Sequence, residues 1–355
     1  AKSNGDPTNP KSYRPISLLS NIGKIFERLI LERLQCFETL NKIFIPQQFG
    51  FRNEHSTVHQ ILRITEDAAL GFNKNQSTGL VLLDLEKAFD SVWHDGLIHK
   101  LSELKTPLPL LGIISSYLCN RQSFVVVEGK ASKVFSVPAG VPQGSILSPH
   151  LFNIFINDIP MPKNCELAIY ADDTAIFCKC PWKNAKGIRK LLCAGLSCAS
   201  KFFSSWRIKI NANKTKFIVF SKSTAVRKKL DSCLPSLNGE TFTWQDCVTY
   251  LGVDLDKKLL FREHINKTVK KAKQALCTLY CIIKRNSAAS EHSKISVYRS
   301  VIRPILTYAC VIFNNCAKTH LNKLQVMQNK CLRMILNADF YERNVDLHER
   351  AGIPF

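Results

Sequence analysis

The sequence contains no apolar run near the ~18 residues that a membrane-spanning helix needs, and its first residues form no signal-like hydrophobic stretch. Both absences argue against an integral membrane protein or a secreted one. It also has no C-x-x-C pair. The fourteen cysteines are scattered, and Cys178-x-Cys180 and Cys277-x3-Cys281 have no partners at zinc-site spacing. Reduced, mostly buried thiols in a reducing compartment are therefore expected. No internal repeat or low-complexity segment is present, which sets aside solenoids and disordered tails. Acidic charge is scarce, since Lys and Arg outnumber Asp and Glu by 49 to 28 and the formal net charge is +21. Such a surplus calls for a polyanionic partner, nucleic acid before an anionic membrane surface.

At 355 residues and 45% hydrophobic, the chain can bury a core of two or three subdomains, and with Ala1 in first place it reads as a piece of something longer. A short strand is expected at Arg14-Pro-Ile-Ser-Leu-Leu. Ile22, Ile25, Phe26, Leu29, Ile30, Leu34 and Phe37 then recur at helical spacing, and Ser56-Thr57 reads as the N-cap of a second helix. Gly79-Leu-Val-Leu-Leu-Asp is a continuous apolar run, as for a strand buried on both faces, and it ends in a carboxylate. After the loop PAGVPQGSILSP, Ser148 and Pro149 read as N-cap and N1 of a helix. I-Y-A-D-D-T-A-I-F, residues 169 to 177, reads as strand, acidic turn, strand. Ile188 to Trp206 is amphipathic, RIKI-NAN-KTKFIVF reads as a hairpin, and residues 261 to 336 carry helical patterns almost throughout. The order fits an α+β fold, a split βαβ sheet with helices on one side, followed by a helical subdomain.

The chemistry lies in the acids. If Asp84 and the Asp172–Asp173 pair come from neighbouring strands, three carboxylates converge, and their repulsion is costly unless divalent cations neutralise it. Hard oxygen ligands suit Mg²⁺, and two such ions can activate one oxygen and stabilise another during phosphoryl transfer. A basic protein built this way points to phosphodiester chemistry. The tail agrees with that. Residues 257 to 303 hold 12 Lys or Arg against 2 acids, and Lys267, Lys270, Lys271 and Lys273 lie opposite an apolar helical stripe, as for contact with duplex phosphates.

The stretches YRPISLLSNIGKIFERLI, QQFGFRNEHSTVHQIL, VLLDLEKAFDSVWHDGL, GVPQGSILSPHLFNIFINDI, IYADDTAIF, INANKTKFIVF and VTYLGVDLD, in that order, resemble the reverse transcriptase domain of a non-LTR retrotransposon of the Jockey-like type. The resemblance implies a right-hand polymerase. Fingers would span 1–75 and the palm 76–256, with its loop and helix at 137–160 and its acidic hairpin at 166–178. A basic helical thumb would span 257–336 and a tail 337–355.

The resemblance further implies that Asp84, Asp172 and Asp173 hold two Mg²⁺ ions, with Mn²⁺ as a substitute, and that Lys214 approaches the pyrophosphate. Phe89 would gate the sugar against a 2′-hydroxyl, Gln143 and Gly144 would lie beside the nucleotide, and Lys2 and Arg14 would hold its triphosphate. Arg52 would contact template or brace the fingers, and Tyr250, Leu251 and Gly252 would grip the primer, with Lys267, Lys270 and Lys271 on the duplex. The implied partners are an RNA template, a DNA primer or target and dNTPs, with no membrane. The implied setting is intracellular, a cytoplasmic ribonucleoprotein and the nucleus. Two competing readings stand beside the polymerase: a non-catalytic nucleic-acid-binding relic of such a domain, and a protein like a group II intron maturase.

Overall fold

The computed structural model describes Thr8, residues 16–127, 129–182, 184–223, Val226, 229–237 and 239–354. Lys2 and Arg14 lie outside the described residues. The strand expected from Arg14 onward lies partly there too, and Ile16 to Leu19, its described part, form no strand.

Local sequence sets the first helices. The Ser20 hydroxyl accepts from Gly23 N and starts the helix Asn21–Leu40, which buries Ile30, Leu31 and Leu34. The Ser56 hydroxyl accepts from His59 N and starts Thr57–Asn73, which buries Ile61, Ile64 and Ala68 on one stripe.

Five strands form the central sheet, in the order Trp244–Gln245, Lys216–Phe220, Gln76–Leu83, Asp173–Pro181, Cys165–Tyr170. All neighbours are antiparallel except the parallel pair Trp244–Gln245 and Lys216–Phe220. Gln76–Leu83 sits in the middle and sends alternate residues into two cores. Val81 and Leu83 share one with Phe152, Ile188 and Leu192, while Leu80 shares the other with Ile61 and Ile64. Helices therefore cover both faces, Ser148–Phe155 and Ala185–Ser205 on one and Thr57–Asn73 on the other, rather than one side as expected. A strand apolar at every position needs two covers, and the run Gly79 to Leu83 required this.

Two further expectations shift. RIKI-NAN-KTKFIVF is no hairpin, because Lys209–Ile210 pairs with Leu85–Glu86 while Lys216–Phe220 pairs with Gln76–Leu83 across a single 3₁₀ turn at Ala212–Lys214. The long apolar stretch takes the buried sheet position, and the short polar one stays at its rim. The helix Ser148–Phe155 begins at Ser148 itself, and it is the Ser145 hydroxyl that accepts from Leu147 N and Ser148 N.

The C-terminal region is helical, with Arg262–Thr278 and Lys318–Ile335 as its longest members. Its core holds Leu276, Tyr298, Ile302, Leu332, Leu347 and Ile353, so residues beyond 336 pack into the same cluster. All fourteen cysteines are free, but Cys36, Cys119, Cys277, Cys281 and Cys310 are exposed, against the expectation of mostly buried thiols. Each belongs to a helix or its end, where the outer face leaves a small thiol in water at little cost. No described helix is long and apolar enough to cross a membrane.

Candidate active site

The acidic residues meet where the sheet ends. Leu83 pairs with Thr174, so the next residue, Asp84, falls beside Asp173 on the neighbouring strand. Tyr170 and Asp173 close the hairpin, leaving Ala171 and Asp172 at its tip. Ala171 is buried with φ 54°, a left-handed conformation that costs an alanine about 1–2 kcal/mol. Asp172 is exposed. Asp173 is exposed as a residue too, yet loss of water around its carboxyl, then the charges of Asp172 and Asp84, push that group up to about 6.

Lys214 answers this repulsion from the turn Ala212–Lys214, its Nζ standing 3.4 Å from Asp84 Oδ2. Asn211 N donates to Asp84 O at 2.8 Å and ties that turn to the strand end. A cleft of about 220 Å³ opens here, gathering Asp84, Asp173, Lys214, Tyr250 and Leu251 from four separate stretches of chain. Thr174, Lys216 and Thr249 also line it, and sequence reasoning missed all three. The signal for Lys216 lay in its nearness to Lys214, since it opens Lys216–Phe220 two residues past the end of the turn that carries Lys214. A larger hollow of about 430 Å³, lined by Arg285, Lys330 and Arg333, lies in the C-terminal region, away from these acids.

The donor set suits a hard divalent cation. Three carboxylates are close enough to repel one another, and one of them already borrows an ammonium as counter-charge. Among the described residues they are not drawn into a closed group of three ligands.

Phe89 lies on the 3₁₀ turn Ala88–Ser91, half-buried, with its ring centroid 4.7 Å from that of Phe152. Gln143 Nε2 donates to Asp90 Oδ1 at 2.9 Å, which joins the Gly/Pro loop to the turn carrying Phe89. At Gly144 the close neighbour is the chain itself. With φ 116°, a Cβ there would come 2.9 Å from Ser17 O, and Ser17 N donates to Gln143 O at 2.7 Å.

Arg52 is turned inward. Its guanidinium donates to Ile45 O and Gln48 O at 3.0 and 2.9 Å, and burial lowers its pKa while the Glu38 carboxylate opposes the change. Tyr250 and Gly252 sit on the hairpin formed by Cys247–Tyr250 and Val253–Asp256. The Tyr250 ring is buried, and its hydroxyl is held above its ordinary pKa, first by burial and then by the Asp173 charge. Lys267, Lys270 and Lys271 are all exposed on Arg262–Thr278, but only Lys267 has an ion pair, at 3.1 Å to the buried Asp254. Burial alone would raise Asp254, yet the Thr249 hydroxyl and the Lys267 ammonium hold it below the usual carboxylate range.

The chain is 36% identical, over 96% of its length, to the probable RNA-directed DNA polymerase from transposon BS of Drosophila melanogaster. It is 35% identical, over 99% of its length, to the RNA-directed DNA polymerase from mobile element jockey of the same species. The chain spans about 38% of the length of each of these relatives. Among solved structures, telomerase from Candida albicans in complex with a fragment of telomeric RNA is 11% identical, with a TM-score of 0.47, over 95% of this chain and 57% of that one. The reverse transcriptase (RNA-dependent DNA polymerase) family matches residues 2–255, which takes in every acid of the cleft and all but the last residue of the hairpin beside it. With that match and relatives above 30% identity across nearly the whole sequence, the chain belongs to the reverse transcriptase family.

Proposed function

We propose that this domain is the RNA-directed DNA polymerase of a Jockey-like non-LTR retrotransposon, extending a primer 3′-hydroxyl with dNTPs on an RNA template. The observation that carries the reading is the cleft itself, in which Asp84, Asp173 and Lys214 meet beneath the hairpin bearing Tyr250 and Leu251, with Asp172 at the adjoining turn. The family implies a divalent cation, and Asp84, Asp172 and Asp173 are the residues that would hold two Mg²⁺ ions, or Mn²⁺ in their place. When bound, they would supply activation of the attacking hydroxyl and charge neutralisation at the leaving pyrophosphate.

The chain's own groups do the rest. Lys214, released from Asp84, has the reach and charge to give a proton to the departing pyrophosphate. Phe89, backed by Phe152, presents a ring where a 2′-hydroxyl would clash, and Gln143 keeps its turn in place through Asp90. The Tyr250–Gly252 turn positions the primer end, and the exposed Lys270 and Lys271 hold duplex phosphates. RNA template, DNA primer or target and dNTPs are thus the proposed partners. A cytoplasmic ribonucleoprotein and the nucleus are the proposed setting.

Primer extension tests the reading. On an RNA template with an annealed DNA primer, the protein should incorporate dNTPs only with Mg²⁺ or Mn²⁺, and Asp172→Asn should abolish extension while template binding persists. A parent chain that binds the template but never extends the primer would instead be a nucleic-acid-binding relic.

A further inference from the structure

The acidic turn is held from outside its own hairpin. Cys165–Tyr170 is the edge strand of the sheet, and the segment Gln47 to Gly50 lies along it as a partial sixth strand. Phe49 N donates to Ile169 O at 2.9 Å, Ile169 N donates to Gln47 O at 3.0 Å, and Gln48 makes a parallel bridge to Ile169. An edge that would otherwise be open is thereby closed at the end nearest the acids.

Side chains finish the clamp. Gln48 is fully buried, and its Oε1 accepts from Gly50 N at 2.9 Å and, at a longer 3.4 Å, from Ala171 N inside the turn. Gly50 presses on the same turn so closely that a Cβ there would stand 2.4 Å from Ala171 N and 2.9 Å from Tyr170 C. Asn153 Nδ2 donates to Gly50 O at 2.6 Å, and Gln60 Nε2 donates to both Ile169 O and Gln47 O. The Gln47–Gly50 segment thus reaches the strained alanine directly, while Asn153 and Gln60 brace that segment and the strand before the turn, and a strained conformation persists only where its surroundings over-determine it.

We propose that Gln48 is a positioning residue, whose buried carboxamide, with Gly50 packed behind it, fixes the Ala171 turn and so sets where Asp172 and Asp173 point. The proposal rests on the polymerase reading. It assigns the QQFG stretch to the aim of the acids. Gln48 touches no substrate and acts only through the turn.

The test compares the parent chain with Gln48→Ala, Gly50→Ala and the double variant Gln48→Ala/Ala171→Gly. Readouts are amide hydrogen exchange over residues 169–173, Mn²⁺ binding to the free protein by electron paramagnetic resonance, and kcat and KM for dNTP. Gln48→Ala should speed exchange in the turn, weaken Mn²⁺ binding and lower kcat about 100-fold, the loss that a misplacement of about 1 Å produces, with KM and template binding within about twofold. Ala171→Gly should restore part of this, because glycine adopts the turn without help. Parent-like exchange, Mn²⁺ affinity and kcat in a folded Gln48→Ala would overturn the proposal, as would a loss that Ala171→Gly leaves untouched. If Gln48→Ala does not fold, Gly50→Ala decides on the same readouts. A parent chain that binds Mn²⁺ but does not polymerise would count against the polymerase reading alone, because exchange and Mn²⁺ affinity still judge the clamp.

Discussion

Phe89 shows how much a single residue's surroundings add to its identity. Its place five residues after Asp84 was legible in the sequence, but its support was not, since the ring it leans on belongs to Phe152, 63 residues later. A half-buried ring backed by another is rigid, and rigidity is what a steric gate requires. Phe89→Ala should therefore raise incorporation of ribonucleotides relative to deoxyribonucleotides, read as the ratio of kcat/KM for the two on one template. Because the turn is also held by Gln143 through Asp90 and by Val141 N on Phe89 O, the variant should keep its dNTP activity within about tenfold. An unchanged ratio would leave the ring only its packing role. Asp84, Asp172 and Asp173 were legible for a different reason: a carboxylate at the end of a buried strand, or a pair at a hairpin tip, is locally conspicuous. Gln48 was not, because its partner amide at Ala171 lies 123 residues away and nothing local marks it.

On the basic helix Arg262–Thr278, three lysines that look alike in sequence differ in what they face. Lys267 is committed to Asp254, which also accepts from Thr249 at 2.5 Å and lies 6% exposed, joining the helix to the hairpin that bears Tyr250. Lys270→Ala and Lys271→Ala should each lower the slope of log affinity against log salt by about 1 for a primer–template duplex. Lys267→Ala should change that slope less and instead cost stability, about 1 kcal/mol because the ammonium is more than half exposed. Asp254→Asn adds a pH signature. A carboxyl held below its ordinary pKa stabilises the fold above that ordinary value and loses the contribution as pH falls through the lowered one. Urea melts from pH 7 down to pH 3.5 should thus show the parent's advantage over Asp254→Asn shrinking only below about pH 4. A gap independent of pH would mean that the carboxylate's charge is not what stabilises this corner. The helix was legible from its stripe, yet the sequence could not separate a committed lysine from a free one, because the discriminating acid sits on a different element.

At the scale of the whole molecule, the subdomains interlock more than a linear reading allows. One core draws together Ile61 and Ile64 from the second helix, Leu80, Ala175 and Ile218 from the sheet, Val248 and Leu255 from the hairpin, and Ile312 and Phe313 from the C-terminal region. Contacts at such separations leave no local period in the sequence, which is why the helical patterns after residue 261 read as a detached unit. Tyr308 is the polar fastening on this shared core. Its hydroxyl bonds Leu251 O at 2.7 Å and Thr57 Oγ1 at 3.0 Å, so one side chain links the C-terminal helices to both the proposed primer turn and the start of the second helix. Tyr308→Phe removes both bonds and leaves the apolar packing, for a global cost of about 1 kcal/mol. The functional cost should be larger, because the turn at Leu251 and Gly252 would be free to move against the helices that hold the duplex. Single-turnover extension with a trap for released protein should then show shorter products, while KM for dNTP at the first addition stays near the parent value. If a stable Tyr308→Phe variant gives the parent's product lengths, the hairpin and the helical region keep their alignment through the apolar core alone.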